Sequence, residues 1–166
     1  MPRSVAHKTR AHERIVEAAA RAILARGVDR VSIADVMRDA NLTHGGFYAH
    51  FANKEAMVAE ATTTGMRDAR RAFVHDAAAA RPRAPLREII RRYISRAHRD
   101  EPANGCAMPA LAGDMAREPA EARHAFTLAV EDYLRELASY APGETEEARR
   151  DATLALMNRS DRPTAL

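Results

Sequence analysis

VSIADVMRDANLTHGGFYAHFANKE, residues Val31 to Glu55, reads as two short helices joined by a tight turn. Ser32 is placed to cap a helix from about Ile33 to Asp39, its hydroxyl taking one of the N–H groups that a helix start leaves unpaired. Ile33, Val36 and Met37 follow at spacings of three and four and share one face. Asn41 enters the left-handed conformation at low cost, so the chain turns sharply after Ala40. Leu42 then points inward, and Thr43 is expected to cap a second helix over His44 to Phe51.

On that second helix Phe47 and Phe51 lie one turn apart and face the core. At roughly 100° per residue, Gly45, Gly46 and Ala49 fall on the opposite side, flanked by Tyr48 and His50. Each glycine costs a helix about 1 kcal/mol relative to alanine, so a bare outer face needs a compensating gain. A DNA major groove about 12 Å wide supplies one, because small leading residues let the backbone come close. Tyr48 and His50 are then expected at phosphates, Thr43 and Lys54 at the two ends, and His44 near base edges.

These residues, with Ile15, Ala19 and Gly27 before them and Glu55 after, resemble the DNA-binding signature of the TetR family of bacterial repressors, in its AcrR-like pattern. Asn41 stands where the family usually has glycine and keeps the turn chemistry. The resemblance implies an all-α regulator: a three-helix, helix-turn-helix domain over residues 1–52, and a helical ligand-binding and dimerisation domain over 53–166. It implies DNA contacts from Ser32, Thr43, His44, Gly45, Gly46, Tyr48, His50 and Lys54. Its implied partners are a palindromic double-stranded operator, a small-molecule inducer and a second copy of the chain. Family members usually continue with a further pairing helix, whereas here the last apolar stretch stops near Met157 before NRSDRPTAL. The expectation is a C-terminus that lacks that helix and a weakened homodimer.

The 166 residues carry one cysteine, which excludes an internal disulfide and fits a reducing cytoplasm. No apolar run is long enough to span a bilayer, and MPRSVAHKTR lacks the apolar segment of a signal peptide, so a cytoplasmic protein without membrane association is expected. With 26 basic and 23 acidic residues, the net charge of +3 permits nucleic acid without establishing it. Arg3, Lys8 and Arg10 precede the first acid and form either a tail or a DNA-contacting arm.

The helical periodicity predicts a first helix from about Thr9 to Arg26, stopped by Gly27, and a long helix from Lys54, capped by Asn53, to about Ala80. Thr62-Thr63-Thr64-Gly65 marks either a low-propensity patch held by packing or a bend. After the prolines of ARPRAP, the stripe Leu86, Ile89, Ile90, Tyr93, Ile94 and Ala97 predicts one amphipathic helix ended by EPANG at 101–105. A short helix with Met108, Leu111, Ala112 and Met115 follows. A longer one begins at Glu118-Pro119, and a last one is capped by Thr145 with Ala148, Ala152, Ala155 and Leu156 on its small-residue face. No period-two segment suggests a strand.

Tyr93, Cys106, Met108, Met115, Phe126 and Tyr133 are the candidates for a ligand pocket, with plain core packing as the competing account of each. Cys106 precedes a helix start, where the dipole lowers a thiol's pKa; it is either a sensor or a small apolar filler. The seven histidines form no pairing that would place two metal ligands on one helix face, and there is no phosphate loop or nucleophile elbow. No metal, cofactor or enzymatic activity is therefore expected. The alternative to a regulator is a helical interaction protein, or a truncated regulator that has lost operator binding.

Overall fold

The computed structural model describes residues 5–101 and 105–160, all of whose regular elements are helical. Helix α1 (Val5–Arg26) buries Ile15, Ala19, Ala22 and Ile23. It already includes the four residues before the expected Thr9, whose hydroxyl donates back to the Val5 carbonyl (3.1 Å) and does not cap a helix start. Gly27 ends it at φ +80°.

Helix α2 (Ile33–Asp39) is capped as expected, with Ser32 Oγ accepting the Asp35 N–H at 3.1 Å. Its end is a Schellman motif: Asn41, at φ +53°, donates to the Arg38 carbonyl, and Leu42 donates to Met37 at 2.8 Å. The next segment differs from expectation. His44–Ala49 is a 3-10 helix, and Thr43 makes no side-chain cap bond. Two adjacent glycines and an uncapped start remove the usual support for α-winding, and the tighter Thr43-to-Gly46 and Phe47-to-His50 bonds take over.

Asn53 caps α3 (Lys54–Arg70) by accepting the Ala56 N–H at 2.8 Å. The helix continues through a π-turn at Arg71–His75 into α4 (Asp76–Ala80). The irregularity therefore lies beyond Thr62–Gly65, which stay α-helical with Thr62, Thr64 and Gly65 buried. Arg92 donates to the Ala72 carbonyl at 2.6 Å, closing the π-turn from outside.

The stripe expected to run through Ala97 splits into α5 (Pro85–Tyr93) and α6 (Arg96–Asp100), because Ser95 caps the second by accepting the His98 N–H. Ile94 is consequently exposed, while Glu88 is buried and paired with Arg91. Helices α7 (Ala107–Met115), α8 (Ala120–Ala138) and α9 (Glu146–Ser160) follow, and Thr145 caps α9 through the Ala148 N–H at 3.1 Å. Ala112, Ala148 and Ala155 are exposed, not part of a buried face. Arg3, residues 102–104 of EPANG, and Asp161, Arg162 and Pro163 lie outside the described residues.

Helix α3 is the spine of the molecule: it packs most extensively against α8, then against α1, and touches α7. One continuous apolar core runs from Ile15 and Phe47 through Met57 and Met66 to Leu111, Tyr133 and Leu137.

Candidate nucleic-acid interface

Phe47 is fully buried and stacks on Phe51 at 5.5 Å, which fixes the 3-10 segment to the core. The opposite side is bare. A Cβ on Gly45 would meet nothing within 4 Å, and one on Gly46 would make ordinary 3.7 Å contacts with Met37 and Thr43. Neither glycine has a positive φ. Backbone strain and internal packing thus give no reason for glycine at either position.

Tyr48 is 66% exposed and set edge-on against Phe47, so its hydroxyl is held outward on a fixed ring. Thr43 and His44 are exposed. Thr43, Gly46 and half-buried His50 share a cleft of about 270 Å³ with His7 and Lys8 of α1. Lys8 therefore stands on a helix beside the 3-10 segment, and His7 joins it although no sequence signal singled it out. An ammonium, an uncommitted hydroxyl and an imidazole around one cleft suit phosphate oxygens.

Burial pushes the His50 pKa down, and the neighbouring His12 and Lys8 charges push the same way. Its Nδ1 is buried without a hydrogen-bond partner. His12 is held in turn: its Nε2 lies 2.9 Å from both Glu60 carboxylate oxygens, and its ring stacks on Phe51 at 4.6 Å. Two expected contacts are otherwise engaged. Lys54 is half-buried and donates to the Val28 carbonyl at 3.1 Å, and the Ser32 hydroxyl is shared between the Asp35 N–H and carboxylate.

The ligand candidates separate. Tyr93 and Cys106 meet at His98, whose Nε2 accepts the Cys106 N–H at 3.0 Å and whose ring lies 4.7 Å from Tyr93 and 4.6 Å from Phe73. Cys106 and Tyr133 are hydrogen-bonded side chain to side chain. This is filled core: the cavity that Tyr93 and Tyr133 line measures about 30 Å³, and Cys106, Met108, Met115 and Phe126 do not line it. Burial raises the Cys106 pKa, outweighing its position at the start of α7 and reversing the dipole expectation. Tyr133 is likewise raised, first by burial. A larger groove of about 840 Å³ opens between α3 and α8, with Ala59, Ala125 and Leu128 on its walls and His50 and Phe51 at one end. Sequence reading passed over it because small residues at helical spacing look like close packing. Among the described residues no helix is long and apolar enough to cross a membrane, and no cluster of three or more His, Cys, Asp or Glu side chains could hold a metal ion.

Residues 15–61 match the family model described as "Bacterial regulatory proteins, tetR family". Over 53 residues the chain is 47% identical to the HTH-type transcriptional regulator TtgR of Pseudomonas putida, covering 32% of this chain and 24% of that one. It is 34% identical over 58 residues to YvdT, an uncharacterized HTH-type transcriptional regulator of Bacillus subtilis, covering 35% and 28%. The matched region thus spans about a quarter of the length of these curated relatives. Among solved structures, the reduced form of E. coli NemR superposes with a TM-score of 0.66 at 14% identity, over 90% of this chain and 84% of that one. A TetR-family transcriptional regulator from Agrobacterium tumefaciens gives 0.61 at 17% identity, over 93% and 88%. These likenesses extend the shared fold well beyond residues 15–61.

Proposed function

We propose, from the premise that this chain belongs to the TetR family of bacterial regulatory proteins, that it is a ligand-responsive repressor that a small molecule releases from DNA. The carrying observation is the glycine face of the 3-10 segment, bare where the fold would accept a side chain. Gly45 and Gly46 approach the groove floor, His44 reads base edges, and Tyr48 grips a phosphate, as do Lys8, Thr43 and His50 around their shared cleft. Residues 1–52 act as the reader domain, and 53–166 hold ligand and the second copy of a homodimer on a palindromic operator, in the cytoplasm. The protein acts by binding, without catalysis. Ligand responsiveness draws its support from the α3/α8 groove, which is of drug-sized volume and ends at His50, in preference to the filled Tyr93–Cys106–Tyr133 core.

Gly45→Leu tests the reader. The new side chain has open space around it, so the melting temperature should stay within about 3 °C of wild type. Mobility shift on the DNA upstream of the protein's own gene should show at least about tenfold weaker binding, because the leucine holds the backbone off the groove. Unchanged binding by the folded variant would remove His44–Ala49 from the interface.

A further inference from the structure

The two main-chain polar groups of Val28 are both held by side chains from distant parts of the chain. Its N–H donates to Asp114 Oδ2 of α7 at 3.0 Å, and its carbonyl accepts Lys54 Nζ, from the first residue of α3, at 3.1 Å. Val28 itself is buried. The Asp114 carboxylate occupies the place a residue-27 side chain would take: a Cβ on Gly27 would stand 2.9 Å from Oδ2. Gly27 therefore ends α1 and also makes room for the carboxylate. The second oxygen, Oδ1, accepts Arg117 Nη2 at 2.9 Å, and the same nitrogen lies 3.9 Å from Asp29 in the α1–α2 connection. Neighbouring Glu118 has its pKa raised by burial and by Asp29, Asp114 and Glu55, against the opposing effect of Lys54, so a crowd of charge surrounds the junction.

We propose that Asp114 is a positioning residue for DNA binding, the point at which the C-terminal helices fix the orientation of the reader. It acts through the connection at 27–32, which delivers Ser32 to cap α2; α2 in turn supports the 3-10 segment through the Schellman turn at Asn41. Lys54 ties the same connection to the helix that follows the reader, so Val28 is anchored on both of the reader's flanks. Of the two side chains that hold Val28, Asp114 is the one that comes from α7, outside the α1–α3 region. The inference rests on the DNA reading of His44–Ala49 above.

The test is amide exchange read by mass spectrometry, on the full chain with and without the upstream duplex, beside mobility shift. In the wild type, DNA should slow exchange at the 27–32 connection and also over Ala107–Met115, while α8 changes little. Asp114→Ala should lose the α7 response and bind DNA about tenfold more weakly. Asp114→Asn, which keeps an oxygen acceptor for the Val28 N–H, should retain the α7 response and stay within about threefold of wild-type affinity. Wild-type exchange over Ala107–Met115 that ignores DNA overturns the proposal whether or not the alanine variant folds. Uniformly faster exchange across all helices of Asp114→Ala overturns it too, as the mark of a general stabiliser. A wild type that binds no duplex refutes the DNA reading itself and is visible in the mobility shift alone.

Discussion

His50 illustrates how one side chain can link reader and solvent conditions. Its pKa in the folded chain lies below the ordinary 6.5, first through burial and then through His12 and Lys8. Unfolding restores the ordinary value, so the unfolded chain binds the proton more readily. The stability that neutral His50 contributes is present above pH 6.5 and declines as pH falls through 6.5 toward the folded value. A DNA phosphate in the cleft reverses the local sign, because an anion favours the imidazolium. Binding then takes up a proton, and affinity for DNA should rise as pH falls from 7.5 to 6, with a limit of about tenfold per pH unit for one proton. Titrations across that range should show the slope in the wild type and a flatter one in His50→Gln; identical slopes would place His50 away from the phosphate.

Cys106 carries the opposite lesson. Its place at the start of α7 suggested an activated thiol, yet burial raises its pKa and keeps it in the unreactive form. Peroxide should leave DNA affinity unchanged, and a thiol reagent should label Cys106 only as fast as the protein opens. Rapid labelling of the native protein would show that the core around Tyr133 opens locally.

Among the elements, those whose boundaries depend on neighbours in sequence were legible beforehand: Ser32, Asn53 and Thr145 cap helices through bonds spanning three residues. Errors arose where two local signals competed. Thr9 bonds backward from within α1, and Ser95 caps forward and divides an apolar stripe that looked continuous. The candidate interface stood out in the sequence by its glycines and aromatics but not by the residues that support it. His12 with Glu60 and Val28 with Asp114 are pairs 48 and 86 residues apart, and periodicity along one helix carries no information about such partners. The weak helix formers inside α3 yield a prediction at this scale. A methyl on Gly65 would rest 3.7 Å from Leu24, 3.8 Å from Ala107 and 3.9 Å from Ala20, all ordinary contacts. Gly65→Ala should therefore stabilise the protein by about 0.5–1 kcal/mol in denaturant unfolding. A loss of stability would mean that α1, α3 and α7 lie closer than these distances.

For the molecule as a whole, the question is which apolar surface remains for a second copy. Leu154 of α9 is 40% exposed, and Ala148 and Ala155 are small exposed residues of the same helix. A helix with an exposed leucine and small exposed residues is suited to close helix pairing across a two-fold axis. Leu154→Glu should weaken self-association at least about tenfold in analytical ultracentrifugation while leaving the melting temperature of dilute protein nearly unchanged. If the variant associates as the wild type does, α9 is not the pairing helix.

The open space in front of Gly45 has an evolutionary corollary. Most positions in a small domain answer to two demands at once, since a change that alters recognition also disturbs folding. A Cβ placed on Gly45 would meet nothing within 4 Å among the described residues, and His44 and Tyr48 are exposed, so on the proposed reading substitutions at these three positions answer chiefly to the sequence of the DNA and little to the chain's own stability. The reader can drift toward a new operator through intermediates that all fold. Randomising those three positions should yield a population that is mostly soluble and folded, from which altered specificities can be selected directly.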